Sequence, residues 1–125
     1  MYTVAVRQDF IAEHFLVGGD WGSENERHPH DYQVEVRLEG STLDEHGFLI
    51  DISDIEMHLR LLVAYFGNRV LNELPEFKGL NPSIEHFARI FHQALSKRIL
   101  SPSISAISVK IWEGSTAWAS YRAER

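Results

Sequence analysis

Apolar and polar residues alternate from the start of the chain. Tyr2, Val4 and Val6 stand against Thr3, Ala5 and Arg7, a period of two that predicts a half-buried strand running on toward Phe15. A polar, Gly-rich stretch, VGGDWGSENER, interrupts it. Alternation then resumes with Tyr32, Val34, Val36 and Leu38 against Gln33, Glu35, Arg37 and Glu39, a second strand. The stretch LDEHGFLIDI predicts a turn at Gly47 and a third strand. There the period changes. Ser53 and Glu56 have the spacing of a capping box, and Ile55, Leu59, Leu62, Val63 and Phe66 recur at helical intervals, with Gly67 and Asn68 as terminators. Asn81 and Pro82 open a second predicted helix, whose apolar face is Ile84, Phe87, Ala88, Phe91 and Leu95 and which ends before Pro102. Ile107, Val109 and Ile111, then Ala117, Ala119 and Tyr121, alternate on either side of Glu113-Gly114-Ser115, a hairpin connection.

The predicted order is β-β-β-α-α-β-β: an α+β chain with an antiparallel sheet of about four strands and two helices on one face. Its 125 residues suit one domain, 1–125. The unpaired edges of so small a sheet favour association with further copies.

Charge and composition narrow the chemistry. Eighteen acidic residues against 12 basic ones leave a net charge of −6 with no basic stripe, which argues against nucleic acid as a partner. No apolar run reaches membrane-spanning length, and the N-terminus lacks the layout of a signal peptide, so the expected location is cytoplasmic. The chain has no cysteine, so a metal would have to be held by His or carboxylates.

Of seven histidines, His46, His58, His86 and His92 fall singly in a turn or in helices, where a solvated or core-edge residue is the ordinary case. His14, His28 and His30 differ. His14 ends the first strand, and the H-x-H pair opens the second with both rings on one face. If those strands pair antiparallel, the three imidazoles meet at one end of the sheet. Three histidines with an open fourth position make a catalytic-type zinc site. The rival reading is an accidental H-x-H on a wet face.

FIAEHF, HPHDYQVEV, LDEHGFLIDI, Leu71-Asn72, NPSIEHFA and VKIWEG occur in this order along nearly the whole chain. They resemble the 6-pyruvoyltetrahydropterin synthase and 6-carboxytetrahydropterin synthase family, whose pattern runs F-x-A-x-H, H-G-H-N-Y, L-D-x-x-G-x-x-x-D, D-H-x-x-L-N, P-T-x-E and a strand ending in Glu. The resemblance implies the tunnelling fold, in trimers whose sheets close into a barrel and which stack into a hexamer. It also implies zinc on His14, His28 and His30, and a pterin-like ring anchored by Glu113. A carboxylate there can accept parallel N–H bonds from a ring amino group and its neighbour.

Three departures bear on activity. The family's usual base, a cysteine four residues before H-G-H, falls on Glu24. Glutamate there resembles a subgroup that cleaves the side chain of dihydroneopterin triphosphate to a 6-hydroxymethyl pterin, and Glu26 competes for the same role. The Asp-His pair that relays protons falls on Gly67 and Asn68, neither of which titrates near neutral pH; His86 is the nearest substitute. Pro29 replaces the Gly of H-G-H, and Asp31 replaces its Asn, where it could orient a zinc ligand. The expected function is a zinc-dependent pterin-processing lyase with Glu24 as base. The alternatives are a protein that keeps zinc and binds a pterin- or purine-like ligand without converting it, and zinc with a structural role only.

Overall fold

The computed structural model describes residues 1–125. Four strands, β1 (Tyr2–His14), β2 (His28–Gly40), β3 (Ala106–Glu113) and β4 (Ala117–Glu124), form one antiparallel sheet in the order β1-β2-β3-β4. Two helices, α1 (Ile52–Phe66) and α2 (Ile84–Ser96), lie between β2 and β3 in sequence and cover one face of the sheet. The α+β architecture is the one the periodicity predicts.

The core is built from the apolar half of each alternation. Val34, Val36 and Leu38 of β2 and Ile107, Val109 and Ile111 of β3 are fully buried. They meet Ile55, Leu59 and Phe66 of α1 and Phe87, Phe91 and Leu95 of α2 in a single apolar cluster. Phe87 is its hub. Its ring centroid lies 5.3 Å from Tyr32, 5.3 Å from Phe66, 5.5 Å from Phe77 and 5.8 Å from Phe10. All four contacts are edge-to-face, an arrangement favoured by the ring quadrupole. No helix is long and apolar enough to cross a membrane.

The opposite face is polar, with one buried charge at its centre. Glu35 is 2% exposed because Arg7 and Arg37 lie over it and both bind its carboxylate. Burial alone would raise its pKa; the hydrogen bonds from Arg37 and Arg7 outweigh it and hold the group below the ordinary carboxylate value.

Three local expectations are corrected. LDEHGFLIDI forms no strand, so the order is β-β-α-α-β-β. The Asp44 carboxylate accepts the backbone N–H groups of His46 and Phe48, both at 2.9 Å, and the Asp44 N–H bonds the Phe48 carbonyl. These local bonds, with Gly47 at a φ of +85°, compete successfully with a sheet ladder. The α1 cap is Asp51, whose side chain accepts the Ser53 N–H at 2.9 Å, so no Ser53–Glu56 box forms. Helix α2 is capped by Ser83, which accepts the His86 N–H; Asn81 does other work.

Candidate metal centre

The pairing of β1 with β2 decides where the histidines go. His14 lies directly opposite His28, and Ala12 opposite His30. Alternation then puts all three imidazoles on the helix-bearing face, at the end of the sheet where β1 stops and β2 begins. Their ring centroids are 4.4–4.8 Å apart. Glu24 joins them: one donor atom from each of His14, Glu24, His28 and His30 falls within 4.8 Å of the others.

Each ring is oriented through Nδ1. His28 Nδ1 lies 2.6 Å from the Glu26 carbonyl, to which it can only donate. His30 Nδ1 is 3.2 Å from Glu113 Oε1. His14 Nδ1 meets the buried Tyr32 hydroxyl at 2.7 Å. A ring whose Nδ1 carries the proton keeps its lone pair on Nε2. Nε2 of His28 and of His30 is buried without a hydrogen-bond partner. Buried, unpartnered nitrogens that converge, on rings each held by an oxygen partner at Nδ1, have the arrangement of a histidine donor set with its supporting shell. The residues present therefore fit a zinc ion.

Electrostatics agree. His14 is 3% exposed, and burial, then the neighbouring His30 and His28, lower its pKa to about 4. It is thus neutral at physiological pH, as a ligand must be. Burial, then Glu113 and Glu24, push the Tyr32 phenol up, so it stays protonated.

Glu24 is placed by its backbone. The loop between β1 and β2 contains a short 3-10 turn, Gly22–Asn25. The Glu24 carbonyl accepts the Leu16 N–H at 2.8 Å. The Asn25 side-chain amide donates to the carbonyls of Leu16 and Gly19, and its Oδ1 accepts the Trp21 N–H. The turn is thereby sewn to the chain leaving His14, and the Glu24 carboxylate reaches within 2.8 Å of His28 Nε2. Glu26 contributes only its backbone carbonyl; its carboxylate is not in the cluster.

Two residues that were not expected at the site shape it. Asn72 accepts the Phe15 N–H and donates to the Phe15 carbonyl, at 3.0 and 2.8 Å. Asn81 does the same to Val17, at 2.8 and 3.0 Å. Each side-chain amide thus imitates a neighbouring strand and fixes the chain just beyond His14. Both fall in the Leu71-Asn72 and NPSIEHFA motifs, and their bracing role follows from backbone groups that a loop would otherwise leave unpaired.

Gly67 and Asn68 lie along the outer edge of β1, where the Asn68 N–H bonds the Ile11 carbonyl at 2.6 Å. A Cβ on Gly67 would sit 2.7 Å from the Val63 carbonyl oxygen, so the backbone here disfavours a side chain. Both residues line a cleft of about 1310 Å³ that also touches Tyr32, Asp31, Arg60 and Trp112. The three histidines do not line it. His86 Nδ1 bonds the Asn81 carbonyl at 2.9 Å, and His92 Nε2 bonds the Ile107 carbonyl; neither belongs to the cluster. Asp31 is exposed and is not among the groups oriented at the rings.

The family model described as 6-pyruvoyl tetrahydropterin synthase matches residues 3–124. The chain belongs to this family. Among solved 6-pyruvoyl tetrahydropterin synthases, that of Caenorhabditis elegans is 21% identical, with a TM-score of 0.85 over 98% of this chain and 95% of its own. A catalytic-residue mutant of the Plasmodium vivax 6-pyruvoyltetrahydropterin synthase is 16% identical, with a TM-score of 0.82 over 99% and 98%. A protein described as a putative dihydroneopterin aldolase of Vibrio cholerae shares the fold more distantly, at 11% identity and a TM-score of 0.57, covering 100% of this chain and 98% of its own. No curated protein matches. At such identities the solved 6-pyruvoyl tetrahydropterin synthases establish the fold, and the chemistry has to be argued from this chain's own side chains.

Proposed function

We propose that the protein is a zinc-dependent lyase that processes the side chain of a pterin, with dihydroneopterin triphosphate as substrate and Glu24 as base. The observation that carries the reading is a carboxylate 2.8 Å from a ring nitrogen of a three-histidine cluster. In the Plasmodium vivax protein, the residue called catalytic is a glutamate, replaced by alanine in one structure and by cysteine in another.

His14, His28 and His30 would hold zinc, which when bound acts as a Lewis acid toward side-chain oxygens. Glu113 lies at the end of β3, opposite Tyr32 in the sheet register, and is partly exposed, so it can accept N–H bonds from the ring edge. Glu24 then takes the proton of the hydroxyl on the second side-chain carbon. The bond between the first and second carbons breaks, that hydroxyl carbon becomes an aldehyde, and the electron pair passes into the ring's C=N system. Return of the proton to the first carbon leaves a 6-hydroxymethyl pterin. Such proton transfer contributes about 10²–10⁴-fold to rate.

Incubation of zinc-loaded protein with dihydroneopterin triphosphate, followed by mass spectrometry, tests this. Product formation that falls by ~10²-fold or more in Glu24→Ala is expected. Intact zinc with no turnover would refute it.

A second reading, binding without conversion, has one specific support: the positions matching the family's Asp-His relay are Gly67 and Asn68, and the Val63 carbonyl leaves little room for a side chain at the first. Tight pterin binding with no product would favour it.

A further inference from the structure

We infer that Glu24 is a fourth ligand, closing the metal in the resting protein and yielding its place when substrate arrives. The inference rests on the zinc-site reading above. It starts from a contact that is not a hydrogen bond. His28 Nδ1 donates to the Glu26 carbonyl at 2.6 Å, which leaves Nε2 as the nitrogen available to a ligand-binding role. Nε2 lies 2.8 Å from Glu24 Oε2, yet it makes no hydrogen bond. A ring nitrogen and a carboxylate oxygen held this close with no hydrogen bond between them are placed to share a cation. The donor atoms of His14 and His30 converge on the same spot, all four within 4.8 Å.

The backbone supports a ligand role as well. The Glu24 carbonyl is pinned by the Leu16 N–H, and the adjacent Asn25 ties the turn to Leu16 and Gly19. The anchor is therefore the backbone, while the carboxylate end remains 46% exposed and free to rotate outward. Three imidazoles and one carboxylate complete the four positions that zinc prefers, and the carboxylate offsets half of its charge. On release the same carboxylate lies beside the substrate with its lone pair available, so one residue serves first as a plug and then as a base.

The test uses the whole chain with metal alone. Zinc affinity is measured by chelator competition, and the cobalt-substituted protein is titrated with azide while its visible spectrum is followed. In the unmodified protein, tight zinc binding and a cobalt spectrum that resists azide are expected. Glu24→Ala is expected to bind zinc about tenfold or more weakly and to give a cobalt spectrum that shifts at low azide. Glu24→Asp, a carboxylate on a shorter arm, recovers part of the affinity. Zinc affinity within twofold of the unmodified protein in Glu24→Ala, with identical azide behaviour, overturns the inference and leaves the three-histidine site standing. No stoichiometric zinc in the unmodified protein overturns instead the reading on which it rests. Should Glu24→Ala fail to fold, Glu24→Gln, which keeps the shape and loses the charge, is read the same way.

Discussion

Replacing Tyr32 by Phe removes one oxygen atom and little else. The ring stays stacked on Phe10 at 5.4 Å and edge-on to Phe87 at 5.3 Å, so no cavity opens. What is lost is the hydroxyl 2.7 Å from His14 Nδ1. His14 is 3% exposed, so water cannot replace that partner. A buried polar group left without a bond costs ~1–3 kcal/mol, and the metal-free protein should be destabilised by about that much. The hydroxyl also orients a metal ligand, and removal of such a partner weakens metal binding by ~10–100-fold, or about 1.4–2.7 kcal/mol. Urea unfolding with a chelator present measures the first quantity, and zinc competition with a chromogenic chelator measures the second. In His14→Ala the effect of Tyr32→Phe on zinc affinity should vanish, because the partner is gone. An unchanged zinc affinity in Tyr32→Phe, with metal-free stability also unchanged, would show that the hydroxyl does nothing for His14.

Phe87→Ala empties the centre of the aromatic cluster and should cost ~3–5 kcal/mol, read as a lower urea midpoint in metal-free protein. Glu35 contributes stability of the opposite sign in pH to a buried base. Its pKa in the folded protein is depressed, so its contribution is full above the ordinary carboxylate value of 4.5 and is lost as pH falls through the lowered folded value. Urea midpoints taken from pH 7 to pH 3 should fall less steeply at the acid end in Glu35→Gln, and parallel curves would refute the assignment. Asn72→Ala leaves the Phe15 N–H and carbonyl unpaired beside His14. It should lower both stability and zinc affinity, whereas a loss of stability alone would confine Asn72 to the fold.

Much of this was legible in the chain because alternation and helical spacing report which side of an element is buried. The strands at Tyr2–His14 and His28–Gly40 and the apolar faces of both helices follow from periods of two and 3.6. The same reasoning failed at LDEHGFLIDI, where apolar residues suggested a strand but Asp44 turned the backbone on itself. It also misplaced both helix caps, since a run such as Asp51-Ile52-Ser53 offers more than one side chain able to accept the first free N–H groups.

The sequence by itself determined an α+β chain, the two faces of its sheet and three histidines able to share one of them, because side-chain direction within an element depends only on local periodicity. Only the tertiary structure decided that His14 stands opposite His28, that Glu24 rather than Glu26 turns its carboxylate to the rings, and that Asn72 and Asn81 brace the chain beside them. Those outcomes depend on register and loop path. They are set by contacts between residues as many as 64 positions apart, which no local pattern encodes.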